Sequence, residues 1–165
     1  NPLTEVNSSM LEAGSLVKRI QEMREGGYLS DAILRAVVKE VKAADPKYSW
    51  VGAYLFNPQE NILWLHNYVG KPTEHARIEV GQGVCGTAVA ERRNINVPDV
   101  KAIDNYLACS PRTQSELVVL IRAGDEILGQ IDIDSEQKAA FTAEEQEALE
   151  MVADKLAEVL MAERQ

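Results

Sequence analysis

Apolar residues recur at helical spacing near both ends of the chain and alternate at strand spacing through its middle. From Ser9 to about Arg24, Met10, Leu11, Leu16, Val17 and Ile20 fit one helical face, with Gly14 weakening it and Gly26-Gly27 ending it. A second helix is predicted from about Ser30 to Ala44, where Ile33, Leu34, Val37, Val38 and Val41 recur at 3–4-residue spacing. Asp45-Pro46 stops it, because the residue before a proline is pushed out of the α region. At the far end Phe141-Thr142 opens a last helix with a capping box between Thr142 and Glu145. Leu149, Val152, Ala153, Leu156 and Leu160 form its apolar stripe. Residues 1–8 are polar and irregular and are expected to be disordered.

Between these helices the pattern changes to sheet. Ser49–Phe56 and Asn61–Val69 read as a hairpin turned by Asn57-Pro58. Arg77–Val80 is a short strand running into Gly81-Gln82-Gly83, and Gly83–Arg92 reads as a short helix with Cys85 in its first turn. A further short strand is expected over Asn94–Val97. A loop of roughly fifteen residues follows through Asp104, Tyr106, Cys109 and Pro111, and loops of that length in small domains usually carry function or are disordered. Leu117–Arg122 and Ile127–Asp134 then form two strong strands about the Ala123-Gly124-Asp125 turn. The order points to an α+β fold, an antiparallel or mixed sheet with helices segregated to one side, in a single domain over 9–165.

Composition narrows the partners rather than the fold. With 165 residues, 45% hydrophobic and 26% charged, the chain is long enough for one proper core. Aromatics at 5% make that core mostly aliphatic. The net charge of −9, without a Lys/Arg cluster, argues against nucleic acid or an anionic membrane as partner. The longest aliphatic run, Leu117 to Ile121, is too short to span a bilayer. No charged segment followed by an apolar one opens the chain, and two cysteines are few for a secreted domain, so a cytoplasmic protein is expected.

Three sets of residues are candidates for chemistry. In Ile131-Asp132-Ile133-Asp134 the period of two puts both isoleucines on one face and both aspartates on the other. The acidic face is either solvated or a pocket that wants a cation, and Glu116 is placed to join it. Cys85 lies in Gly-Val-Cys-Gly at a helix start, where the dipole is expected to lower a thiol pKa. Cys109 lies in the long polar loop, an unusual place for a purely structural thiol. Their separation is not a zinc spacing and no histidine-rich set accompanies them, while His66, mid-strand, reads as structural. Trp50 and Tyr54, four apart with Gly52 between, share a face, and the glycine gap is expected either to admit a ligand between two aromatic walls or to be ordinary core. Gly81-Gln82-Gly83 is too short for a phosphate loop, and no Ser-His-Asp signal is present.

These residues together resemble the free methionine-(R)-sulfoxide reductases, which have the GAF fold. The match runs over nearly all of Ser49–Leu160. It is most specific in Trp50-Val51-Gly52-Ala53-Tyr54, the Val80–Ala90 segment around Gly-Val-Cys-Gly, Leu107-Ala108-Cys109, Ser115-Glu116-Leu117-Val118 and Gly129–Ser135. The resemblance implies a central antiparallel sheet of about six strands, N- and C-terminal helices on one side and an active-site pocket on the other. It implies Cys109 as nucleophile, Cys85 as a resolving cysteine, and Trp50 and Tyr54 as the aromatic wall at the methyl-sulfur end. It further implies Glu116, Asp132 and Asp134 as the acidic cluster for the amino group and the sulfoxide. The pattern departs at His75, where three-cysteine members carry a further thiol; Cys85 or an outside thiol is left to resolve the oxidised nucleophile.

The implied chemistry is attack of the Cys109 thiolate on the sulfoxide sulfur, with Glu116 or Asp134 as the proton donor to the oxygen. Methionine leaves, Cys109 becomes a sulfenic acid, a thiol condenses with it, and a thioredoxin-like dithiol reduces the disulfide. No metal or organic cofactor enters this scheme. Two other expectations stand beside it: a GAF domain that binds a small ligand for sensing without catalysis, and a homodimerisation module built on the terminal helices.

Overall fold

The computed structural model describes residues 11–107 and 110–164. The expectations for residues 1–8, for the helix start at Ser9 and for Cys109 lie outside them. Helix α1 spans Ala13–Glu25, because Glu12 is still extended (φ −97°, ψ 92°), and α2 spans Ser30–Ala44. Strands β1 (Tyr48–Asn57) and β2 (Ile62–Val69) form the hairpin, followed by β3 (Arg77–Glu79), α3 (Gly83–Glu91) and β4 (Ile95–Val97). A single 3-10 turn at Val100–Ala102, not foreseen from the pattern, lies within the long loop. Strands β5 (Ser115–Ala123) and β6 (Glu126–Ser135) precede α4 (Ala143–Glu163).

The six strands form one sheet in the order β3-β2-β1-β6-β5-β4, with every pairing antiparallel. Helices α1, α2 and α4 cover one face. Their Ile20, Ile33, Val37, Val41, Leu149 and Leu156 pack on Val51, Ala53, Leu117, Val119, Ile131 and Ile133 from the strands. Close-packed aliphatic burial on this scale supplies the main driving force for the fold. The stripe foreseen on α4 faces this core, with Leu160 half-buried at its edge. The capping box forms as expected: Thr142 Oγ1 accepts from the Glu145 amide at 3.1 Å, and Glu145 Oε1 accepts from the Thr142 amide at 3.2 Å.

A second, smaller core lies on the opposite face, where α3 packs on Tyr54, Leu63, Val118 and Leu120. His66 is structural: Nε2 pairs with Asp31 Oδ1 of α2 at 2.9 Å, fastening β2 to that helix. Among the described residues no helix is long and apolar enough to cross a membrane.

Candidate active site

The face of the sheet turned away from the three long helices carries the candidate residues. Strand register sets its residues in three rows. Trp50, Asp134 and Glu116 stand side by side across β1, β6 and β5; so do Gly52, Asp132 and Val118, and then Tyr54, Gln130 and Leu120. Glu116 thus lies within β5 rather than before it. Glu116, Asp132 and Asp134 are at most 4% exposed, so the solvated reading of the acidic face is excluded. The alternation of isoleucine and aspartate looks the same for an edge and for a pocket; what distinguishes them is the cover that α3 and the β4–β5 loop place over this face.

Helix α3 delivers Cys85 into that acidic group. Its thiol donates to Asp132 Oδ2 at 3.3 Å and lies 3.9 Å from Glu116 Oε2. Gln130, fully buried, donates from Nε2 to the Cys85 carbonyl at 3.0 Å and holds the first turn of the helix against β6. The expected low thiol pKa is reversed. Burial first, then the charges of Asp132 and Glu116, the hydrogen bond to Asp132 and the charge of Asp134 hold the Cys85 thiol well above its ordinary value. A nine-residue helix offers only a partial positive charge at its start, and a cluster of desolvated carboxyls outweighs it.

The carboxyls also act on one another. Burial pushes Asp132 above the usual carboxylate range, against the opposing pull of its hydrogen bonds with Glu116 and Cys85. Burial among neighbouring carboxyls favours the protonated form, which makes Asp132, beside Glu116, a candidate proton store. Tyr106, from the loop, is likewise pushed far up by burial and by the carboxyls of Glu116, Asp134 and Asp132.

Trp50 and Tyr54 are buried at 3% and 0% exposure, but the gap expected at Gly52 is closed. The Trp50 indole folds back over the glycine, where an added Cβ would come within 2.3 Å of a ring carbon. The glycine is there to seat the tryptophan, whose ring stacks on Tyr68 at 5.5 Å and whose Nε1 donates to the Lys71 carbonyl. The two aromatics line different hollows. Tyr54, whose hydroxyl donates to the His75 carbonyl at 2.9 Å, borders a cavity of about 10 Å³ with Cys85, Glu116, Asp132, His75 and Leu107. Trp50 borders one of about 30 Å³ with Asp134, Lys71, Ser110 and Thr113.

Cys109 and Ala108 lie outside the described residues, whereas Leu107 and Ser110 on either side are described. Leu107 packs on Gly83, which takes φ +64° and has no room for a Cβ, while Ser110 borders the Trp50 hollow. Asn105 fastens the approach: its Oδ1 accepts from the Gly83 amide at 3.1 Å and its Nδ2 donates to the Gly81 carbonyl at 2.8 Å. Of the residues not singled out from sequence, Gln130 had a signal, since it shares the period-two face of Asp132 and Asp134. Asn105 and Tyr106 had none, because their roles arise from how the loop folds back on α3.

The comparisons with known proteins agree with this geometry. A GAF domain family model matches residues 30–160. The free methionine-R-sulfoxide reductase of Escherichia coli is 37% identical over 112 residues, covering 68% of this chain and 66% of that protein. The solved type II free methionine-R-sulfoxide reductase of Thermoplasma acidophilum superposes with a TM-score of 0.75 at 40% identity, over 81% of this chain and 93% of that one. The Neisseria meningitidis free methionine-R-sulfoxide reductase, solved in complex with its substrate, gives 0.84 at 30% identity, over 93% of this chain and 90% of that one. By fold, matched length and identity, the chain belongs to the GAF domain family, among its free methionine-R-sulfoxide reductases.

Proposed function

We propose that this chain reduces free L-methionine (R)-sulfoxide to L-methionine by a thiol route, with Cys109 as nucleophile. The observation that carries the reading is the buried meeting of Cys85 with Glu116 and Asp132 on the sheet face that also holds Asp134. Desolvated carboxyls are costly unless a cation or a proton neutralises them. The α-ammonium of a free amino acid answers the first need, and the proton of the Glu116–Asp132 pair is the one a sulfoxide oxygen takes up on leaving. Asp132 and Asp134 hold the ammonium through charge-assisted hydrogen bonds. Tyr54 walls the hollow beside Cys85, and Trp50 walls the neighbouring one beside Asp134.

The steps balance on these groups. The Cys109 thiolate attacks the sulfoxide sulfur, the stored proton passes to the oxygen through Glu116 or Asp134, and methionine departs with Cys109 left as a sulfenic acid. Cys85, protonated at rest, passes its proton through Asp132 to the departing hydroxyl as its sulfur bonds to that of Cys109, so the disulfide forms and water leaves. A thioredoxin-like dithiol then reduces the disulfide. The same reading takes residues 9–165 as one domain of a cytoplasmic enzyme acting against oxidative stress. It assembles as a homodimer, for which exposed Tyr28 and Leu29, beside the end of α4, offer an apolar surface.

The deciding assay follows consumption of free (R)- and (S)-methionine sulfoxide and of N-acetylated (R)-sulfoxide with a dithiol reductant. Turnover of the free (R) form alone is expected. A site built to pair a buried charge discriminates against the acetylated analogue by about 10⁴ or more. Binding without turnover of any of the three would replace catalysis by ligand sensing.

A further inference from the structure

The group around Cys85 has the dimensions of a metal site. A tetrahedral zinc ion bound at about 2.3 Å from sulfur and about 2.0 Å from oxygen sets those ligand atoms roughly 3.5 Å apart. Here Cys85 Sγ is 3.3 Å from Asp132 Oδ2 and 3.9 Å from Glu116 Oε2, and the three ligand atoms all lie within 4.8 Å of one another. All three residues are more than nine-tenths buried, and Asp132 Oδ1 has no hydrogen-bond partner among the described residues. The cavity they border, of about 10 Å³, is the size of a single water or ion.

We propose that Cys85, Glu116 and Asp132 form a binding site for one thiophilic divalent cation, Zn²⁺ fitting best, and that its occupation switches the enzyme off. Cys85 binds the ion as its thiolate, so the thiol proton is released as the metal enters. One thiolate and two carboxylates, with a fourth corner open to the cavity, suit a four-coordinate borderline ion. Magnesium and calcium, which want six or more oxygens, are poorly served. An occupied site loses its stored acid, ties up the resolving thiol and blocks the ammonium. The inhibitory part rests on the reductase reading; the binding part does not.

The test uses the full, reduced chain titrated with Co²⁺, whose thiolate charge-transfer band in the near ultraviolet reports sulfur ligation directly. One cobalt per chain is expected, displaced by equimolar Zn²⁺ and untouched by excess Mg²⁺, with protons released on binding. Cys85→Ser abolishes the band and Cys109→Ser keeps it. Asp132→Asn and Glu116→Gln weaken binding by about 10-fold or more, since even outer-sphere partners of a metal are worth that much. Near-ultraviolet circular dichroism of each variant confirms that it is folded. In the enzyme assay Zn²⁺ raises the apparent KM for free sulfoxide, and chelator restores the rate. No band in the wild type, a band that survives Cys85→Ser, or one lost with Cys109→Ser overturns the site. A chain that binds cobalt in this way yet turns over no sulfoxide keeps the site and overturns the reductase reading.

Discussion

Strands β5 and β6 bury both of their faces almost completely, yet the two faces are chemically opposite. Toward the long helices they present Leu117, Val119, Ile121, Ile131 and Ile133; toward α3 and the loop they present Glu116, Gln130, Asp132 and Asp134 between Val118 and Leu120. Burial is equal, and its sign in free energy is not. Each aliphatic side chain withdrawn from water contributes on the order of 1.5–3 kcal/mol, whereas carboxyls packed beside one another and beside a thiol cost stability until a ligand neutralises them. The helix-packed face therefore carries the fold, and the other face spends part of that stability on the proposed binding site.

The comparison breaks most sharply at Cys109, the proposed nucleophile. Cys109→Ser is expected to lower turnover by about 10³ or more, because an alcohol near neutral pH cannot replace a thiolate. Cys85→Ser is expected to release one methionine per chain and then stall at a Cys109 sulfenic acid until an external thiol is added. Mass spectrometry of the trapped peptides after one equivalent of substrate distinguishes the cases. A wild type that keeps Cys85 reduced, with turnover indifferent to its loss, would make resolution wholly external.

On the helix-packed face the expected change is in stability alone. Leu149→Ala, at a fully buried position of α4, is expected to cost about 2–5 kcal/mol in urea unfolding through the cavity it leaves. KM in the folded protein should not move; a KM that shifts with Leu149 would mean that the two faces are not independent. Asp132→Asn is the converse. Replacing one carboxyl by an amide relieves the crowding around Cys85, so Tm is expected to rise by a few degrees. The same change removes a carboxyl from the proposed ammonium site and is expected to lower kcat/KM for free sulfoxide by about 100-fold. A variant that lost both stability and activity would show Asp132 to be a structural member of the second core.

The division between the faces was largely readable from the chain. The alternation in Ile131-Asp132-Ile133-Asp134 assigns each residue to its side, and the strand limits it predicts fall within two residues of those found. Local pattern carries no information about what later segments lay over a face, which is why the acidic side read equally well as a solvated edge. The same limit explains Cys85. Its helix start is visible in Gly83-Val84-Cys85-Gly86, but the burial that raises its pKa, and the carboxyls that add to it, come from segments 31 and 47 residues further on. Gly52 read as a gap because the fold of the Trp50 indole over it is a rotamer choice, and no spacing rule encodes that.

The smallest expected effect comes from a carboxyl on the helix-packed side, and it sharpens the contrast. Glu145 is buried as Asp132 is, but every oxygen is served: Lys47 Nζ donates at 2.7 Å, the Thr142 amide at 3.2 Å, and the Tyr48 hydroxyl also donates. Burial pushes its pKa up, yet the hydrogen bonds from Lys47, Tyr48 and Thr142 and the charge of Lys47 together win and hold it below the ordinary 4.5. A carboxyl whose folded pKa is lowered contributes stability that is present above its unfolded pKa and is lost as the pH falls through the folded value. Glu145→Gln keeps part of the capping box but gives up the charge. It is expected to destabilise by about 1–2 kcal/mol at pH 7, with the penalty shrinking steadily once the pH falls below 4.5. Urea midpoints of both proteins, taken at intervals from pH 7 to pH 3, should therefore converge toward the acid end. Parallel curves would mean that Glu145 gains nothing from its partners beyond neutral hydrogen bonds, and the two faces would then differ in the number of their carboxyls rather than in how those carboxyls are paired.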